Sequence, residues 1–278
     1  MFRYNPFNKY NVGYALSGGG ARGFAHLGAL KALEERKINP DILAGTSAGA
    51  LAGVLYADGF APEEIREMFT KTKFKQFIEL TFPTTGLFRP TGLNDFLKKN
   101  LRSKTFEQLR IPFIAVATDW EKGTTVNFSK GDKLIESVVA SCCVPLIFSP
   151  VYVNERPYVD GGIFKNLPAS TIRRQCRVLF GINVSVVMPP EEKHNLKYIA
   201  ERTFSMMSIS NTIADLKLCD VLIEAKEIEK YWMFDLSNIN TIYDKGYEYA
   251  VSTLKEKKAT NAIIKSKALE LLNLKKRI

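Results

Sequence analysis

Short apolar runs ending in glycine or turn residues alternate, over the first two thirds of the chain, with segments whose apolar positions recur every three to four residues. Val12-Gly13-Tyr14-Ala15-Leu16 is the first run, a buried strand that stops at Gly18-Gly19-Gly20. From 21 to about 35 the period becomes helical, with Phe24, Leu27, Leu30 and Leu33 on one face and Glu34-Glu35-Arg36-Lys37 closing it. Asn39-Pro40-Asp41 breaks the chain, and Ile42-Leu43-Ala44 forms a second strand running into Gly45-Thr46-Ser47-Ala48-Gly49.

Downstream, the pattern predicts a small-residue helix over 48–58 and a further helix opening at Pro62-Glu63-Glu64. Strands are predicted over 106–119 and 124–128, with Glu121-Lys122-Gly123 as the turn between them. A helix over 134–143 follows, with Asp132 as its N-cap and Cys142 and Cys143 inside it. The run 177–184 reads as another buried strand, after which Pro189-Pro190 closes the sheet. Long helical segments are expected from about 196 to 225 and from 244 to the end. The division is a main domain over 12–190 and a helical C-terminal extension over 191–278, packed on the domain or continuous with it.

The first strand–helix–strand unit has the length of a right-handed parallel crossover. Both glycine-rich loops then leave the carboxyl ends of neighbouring strands, where open α/β sheets bind ligands. Gly45-Thr46-Ser47-Ala48-Gly49 matches G-x-S-x-G, a sharp strand-to-helix turn that presents a serine hydroxyl above the sheet. Gly45 and Gly49 leave no Cβ in that turn. Gly18, Gly19 and Gly20 bring backbone N–H groups to the same sheet edge, where they can stabilise an oxyanion, and the helix that follows adds positive dipole character. Gly18, Gly20 and Gly23 also satisfy G-x-G-x-x-G, a dinucleotide fingerprint. That reading needs an acidic residue at the end of the next strand, whereas Asp41 stands ahead of it.

A serine nucleophile needs a base. Of the two histidines, His26 lies one turn beyond Gly23 and reads as packing or capping, and His194 sits in a polar loop. Asp160, in Tyr158-Val159-Asp160-Gly161-Gly162, ends a short apolar strand and can take the serine proton directly or cap a turn. A Ser…Asp…His order through Asp119 or Asp160 and His194 stays open.

These residues carry a resemblance. From about 12 to 169 the chain resembles a bacterial-type patatin-like phospholipase, through Gly18-Gly19-Gly20-Ala21-Arg22-Gly23, Gly45-Thr46-Ser47-Ala48-Gly49 and Asp160-Gly161-Gly162 in family order. Ala117-Thr118-Asp119, Ala140-Ser141-Cys142-Cys143-Val144-Pro145 and Asn166-Leu167-Pro168 resemble the family's spacing elements. Cys142, Cys143 and Leu146 depart from the pattern, where small residues and glycine are usual. The resemblance implies a three-layer α/β/α fold with a mostly parallel central sheet and a helical C-terminal extension. It implies a lipid acyl hydrolase with a Ser47–Asp160 dyad and an oxyanion hole at Gly18, Gly19 and Gly20. Arg22, Gly23, Gly45, Gly49, Gly161 and Gly162 would support the motifs, with Arg22 touching a phosphate headgroup or bracing the loop. The competing readings are a carboxylesterase or thioesterase on small or protein-bound acyl groups, and a non-catalytic lipid-binding protein.

Composition narrows the setting. The 278 residues, 46% hydrophobic, suffice for one sizeable α/β domain with an extension. No apolar run reaches the ~20 residues of a membrane span, and the N-terminus has no signal-like apolar core. The four cysteines lack framework or metal spacing and read as reduced, buried thiols of a cytoplasmic protein; no metal and no cofactor are expected. The net charge of +10 gathers in the tail, where eight basic residues from Lys255 to Arg277 face Glu256 and Glu270. That amphipathic tail suits an anionic membrane surface or a docked helix with a solvated face. Over 69–88, Lys71, Lys73 and Lys75 interleave with Phe74 and Phe77, as in an interfacial lid or an ordinary core helix. No aromatic platform accompanies the charge, so nucleic acid is not expected as a partner. The expected partner is a phospholipid or other acyl ester, and the pattern carries no oligomer signal.

Overall fold

In the computed structural model of the protein, residues 9–71, 79–80, 88–185, 196–233, 235–257 and 259–264 are described. The first unit runs from β1 (Tyr10–Leu16) through a 3₁₀ turn at Gly20–Gly23 and α1 (Phe24–Glu35) to β2 (Ile42–Thr46). After it come α2 (Ala48–Ala57), α3 (Pro62–Thr70), the short strands β3 (Glu79–Leu80) and β4 (Phe88–Arg89), and α4 (Thr91–Asn100). Then follow β5 (Phe113–Asp119), β6 (Thr124–Phe128), α5 (Leu134–Ser141), β7 (Val151–Val153) and β8 (Arg156–Asp160). The chain continues through α6 (Ala169–Arg173), β9 (Cys176–Asn183), α7 (Leu196–Leu216), β10 (Val221–Glu224) and α8 (Ile239–Lys255).

The main sheet has eight strands in the order β10-β9-β1-β2-β5-β8-β7, with β6 also on β5. The five strands from β10 to β5 are parallel, and β6, β7 and β8 pair antiparallel. Apolar side chains line both faces of the parallel strands because both faces are covered. Tyr14, Leu16, Phe113 and Phe180 point into a core with α1, α2, α3 and α8. Ala15, Ile114, Val116 and Leu179 point into a thinner core with Ala169, Ile172 and Cys219. The result is a three-layer α/β/α sandwich.

Several boundaries differ from the periodicity. Residues Phe106–Gln108 form a 3₁₀ turn, and the strand begins at Phe113. Helix α5 takes Lys133, not Asp132, as N-cap and ends at Ser141, so Cys142 caps it and Cys143 lies beyond. The expected helix over 196–225 stops at Leu216, where Val221 and Ile223 enter the sheet as β10. The sheet therefore extends past Pro189-Pro190, which lies outside the described residues. A three-residue apolar run does not distinguish strand from helix by period, and pairing with β9 decides it. Helix α8 packs closely on α1, since a Cβ on Gly246 would meet the Ala25 backbone. Among the described residues, no helix is long and apolar enough to cross a membrane.

Candidate active site

Strand β5 brings the two candidate reacting groups together. Along β5, β2 is paired as far as Thr46 opposite Val116, and β8 from Asp160 opposite Ala117. Strand β6 spans 115–119 on the other edge, so β2 and β8 share one edge and meet end to end. Ser47 follows the last residue of β2, and Asp160 is the last residue of β8. Gly161 turns away so tightly that a Cβ there would strike the Val116 carbonyl and Thr46.

Ser47 sits at φ 53 and ψ −123, a conformation that costs a non-glycine residue on the order of 1–3 kcal/mol. Its neighbours hold it there. The Ser47 N–H donates to Ser141 Oγ at 2.9 Å, Ser141 Oγ donates to the Val116 carbonyl at 2.6 Å, and Cys142 Sγ donates to the Ser47 carbonyl at 3.3 Å. A Cβ on Gly45 would meet the Gly49 carbonyl, and one on Gly49 the Leu16 carbonyl.

The Asp160 carboxyl is fully buried. Its Oδ1 accepts from the Gly162 N–H at 2.7 Å, while Oδ2 has no hydrogen bond of standard geometry among the described residues. Burial lifts its pKa from 3.8 to about 7, offset in part by the Ser47 hydroxyl and the Gly162 amide. The Ser47 hydroxyl thus faces the carboxyl and favours its charged form. A carboxylate with a pKa near neutrality, beside a strained serine, has the proton affinity of a general base.

The glycine loop is pinned from several directions. His26 Nε2 donates to the Ser17 carbonyl at 2.8 Å, and the Gly18 N–H donates to the Asn166 carbonyl at 3.1 Å. Gly18 is therefore already committed as a donor, which narrows the expected oxyanion hole. Ser17 Oγ donates to the Gly18 carbonyl at 3.0 Å, and the Arg22 N–H reaches the Gly19 carbonyl at 3.3 Å. In planar trans peptides, fixing those two carbonyls turns the Gly19 and Gly20 N–H groups the opposite way. Those amides have no acceptor among the described residues, and Gly20 adopts φ 59. Gly18 contributes by close approach, because a Cβ there would stand 3.2 Å from that of Ser47.

Arg22 braces rather than reaches out. It is 1% exposed, its Nε donates to the Tyr231 carbonyl at 2.9 Å, and it pairs with Glu201 at 3.9 Å. Gly23 lets α1 approach α2, and the Gly162 carbonyl accepts from Ser208 Oγ and Asn211 Nδ2 of α7. Asp119 is committed elsewhere, accepting from the Glu121 and Lys122 N–H groups at 3.1 and 2.9 Å. His194, Lys73, Phe74, Lys75, Phe77 and the tail from 265 lie outside the described residues. Sequence reasoning missed Ser17 and the α7 contacts, and took Ser141, Cys142 and Asn166 only as spacing elements.

His26 is buried and its pKa falls to about 4, because burial disfavours the imidazolium more than the Ser17 carbonyl favours it. The unfolded chain, with a pKa near 6.5, binds this proton first, so the His26 contribution to stability is lost as pH falls from 6.5 towards 4. In urea titrations, His26→Gln should show a weaker loss of stability across that window than the wild type. Equal pH slopes would contradict the assignment.

A cavity of about 130 Å³ opens at Ser47 and Gly20. Phe24, Leu27, Ile65, Phe69, Leu93 and Phe148 line it, and Phe69 packs edge-on to Phe24 at 5.3 Å. A strained serine, a buried carboxyl, two available amides and an apolar cavity have the chemistry of acyl transfer. A patatin-like phospholipase family model matches residues 14–172, more than half of the chain. The chain belongs to that family.

Relatives of this patatin-like chain include an uncharacterized NTE family protein of Mycobacterium tuberculosis, 34% identical over 58% of the chain and 45% of the relative. The lysophospholipase NTE1 of Kluyveromyces lactis is 27% identical over 91% of the chain and 20% of its own length. The chain thus spans less than half of either relative. VipD from Legionella pneumophila has a similar fold, with TM-score 0.59 and 14% identity over 88% of this chain and 67% of that one. Human GIVD cytosolic phospholipase A2 has TM-score 0.52 and 13% identity over 97% and 61%.

Proposed function

We propose that the protein is a lipid acyl hydrolase acting on carboxylic esters of phospholipids or lysophospholipids through Ser47 and Asp160. The observation that carries this reading is the meeting of β2 and β8 on one edge of β5, at the mouth of the apolar cavity. Ser47 Oγ attacks the ester carbonyl while Asp160 takes its proton, and the oxyanion rests on the Gly19 and Gly20 N–H groups. Asp160 returns the proton to the departing alcohol, leaving the acyl group on Ser47. Water then gives a proton to Asp160 and attacks the acyl-enzyme, and Asp160 passes that proton to Ser47 Oγ as the fatty acid departs, restoring the serine and the carboxylate. The fold similarity to a cytosolic phospholipase A2 and the lysophospholipase among the relatives support a lipid ester as substrate.

The same reading places the protein in the cytoplasm with peripheral contact to an anionic membrane, consistent with its charge of +10. A mixed-acyl phosphatidylcholine tests the reaction. The wild type should release fatty acid, its identity reporting the position cleaved, and Ser47→Ala should lose at least about 10³-fold in turnover. Hydrolysis of short esters without phospholipid turnover would favour the carboxylesterase reading, and turnover that survives Ser47→Ala would sink both.

A further inference from the structure

A helix at a protein surface ordinarily turns its apolar stripe inward. Helix α7 does the reverse over most of its length. It buries Glu201, Ser205, Ser208, Thr212 and Asp215, with Tyr198 and Phe204 as the large apolar exceptions. Glu201 accepts from the Met233 N–H and pairs with Arg22, and Ser208 donates to the Gly162 carbonyl. Thr212 accepts from Asn166 Nδ2, and Asp215 pairs with Lys165 and accepts from the Ser170 N–H. The inward polar groups are thus spent on the segments that hold Gly18 and Asp160. Outward stand Ile199, Met206 and Ile213, 50, 56 and 55% exposed and seven residues apart, with Met207 beside them. Two turns packed against this helix extend the apolar surface. Val144, Ile147 and Ile163 cluster with Phe204, and from the same turns Leu146 and Phe164 project 72 and 45% exposed.

We infer that the outward face of α7, together with Leu146 and Phe164, is the surface on which the protein docks to an anionic lipid bilayer. The inference rests on the lipid-ester reading for its purpose and names the face that meets the lipid. Three observations favour a bilayer over water or another protein. The apolar face adjoins the cavity that opens at Ser47, since Val144, which lines that cavity, stands two residues before the exposed Leu146. Both acidic residues of α7 from 198 onward, Glu201 and Asp215, face inward beside Arg22 and Lys165, so none opposes an anionic headgroup. On the outer side Lys217 is exposed and Arg202 half-buried, in a chain of net charge +10. Docked in this way, α7 would hold the ends of β2 and β8 at the interface through the same hydrogen bonds that fix Gly162 and Asn166. The binding energy then comes from apolar side chains entering the acyl region and from basic residues near the headgroups.

Vesicle flotation with equimolar phosphatidylcholine and phosphatidylglycerol tests the surface. The full chain is used with Ser47→Ala, so that hydrolysis does not alter the vesicles. Partitioning should fall by at least about tenfold on adding Ile199→Gln, Met206→Gln and Ile213→Gln. The separate variant Met206→Glu should weaken binding more on these vesicles than on pure phosphatidylcholine. With Ser47 intact, the triple substitution should keep its melting temperature and its rate on a short water-soluble ester. Unchanged flotation of the triple variant would overturn the inference, as would failure of the parent to float. A parent dimer in light scattering that the triple substitution dissolves would also overturn it, assigning the face to a second copy. If the parent floats and the triple variant does not, yet the wild type hydrolyses no ester, the docking surface stands and the hydrolase reading falls.

Discussion

Replacing Asp160 with asparagine should abolish ester hydrolysis and, at neutral pH, make the protein harder to unfold. Both effects come from one buried carboxyl. As the proposed base, Asp160 must lose its proton before it can take that of Ser47, and asparagine has no such proton affinity. Loss of a general base costs on the order of 10²–10⁴-fold in rate, so turnover should fall to the lower end of detection. The wild-type rate should rise with pH through about 7, the value to which burial lifts this carboxyl. Stability carries the opposite sign. The folded state holds the Asp160 proton up to about 7 and the unfolded chain only to 3.8, so the folded state binds more protons in that window and stability falls as pH rises through it. Above pH 7 the cost of the buried anion is complete, on the order of a few kcal/mol by linkage. Asparagine keeps an oxygen for the Gly162 N–H and carries no charge, so it escapes that cost. Denaturant midpoints at pH 5 and pH 8, beside initial rates, check both signs. An Asp160→Asn protein that is inactive but equally or less stable at pH 8 would contradict the buried-anion account; one that retains turnover would remove Asp160 from the mechanism.

Arg22→Met should produce the largest loss of stability among the motif residues. Arg22 ties the glycine loop to two distant segments, donating to the Tyr231 carbonyl at 2.9 Å and pairing with Glu201 of α7. Removing the guanidinium breaks a buried ion pair from one side, at a cost of roughly 3–5 kcal/mol. Glu201 also accepts from the Met233 N–H at 2.6 Å, and the Met233 carbonyl accepts from Ala21 at 2.7 Å. Loosening this group therefore frees the loop that carries Gly19 and Gly20, and turnover should fall with stability. Adding Glu201→Gln removes the other charge of the pair, so the double variant should recover part of the loss, a coupling that urea unfolding of the four proteins reads directly. Additive losses would show that the two side chains act separately.

Much of the fold was legible because its signals are local. The glycines before α1, the helical period of Phe24, Leu27, Leu30 and Leu33, and the Asn39-Pro40-Asp41 break lie within one βα unit, and backbone sterics act over a few residues. The elbow at Ser47 was legible for the same reason, since a turn of that tightness leaves its glycines in place. Asp160 was picked out by its motif, and β5 decides its position, because pairing register is a property of three strands far apart in sequence. The sequence marked Gly18, Gly19 and Gly20 alike, and the Asn166 carbonyl takes the Gly18 amide out of the set. It left Arg22 between a headgroup and a brace, and burial against α7 decided for the brace. It read 196–225 as helix, and the edge of β9 made 221–224 a strand. What the sequence alone determined were the turns and periods that each segment carries within itself. Which polar groups are spent, and which face of α7 is left to the outside, depended on partners that only the folded chain brings within hydrogen-bonding distance.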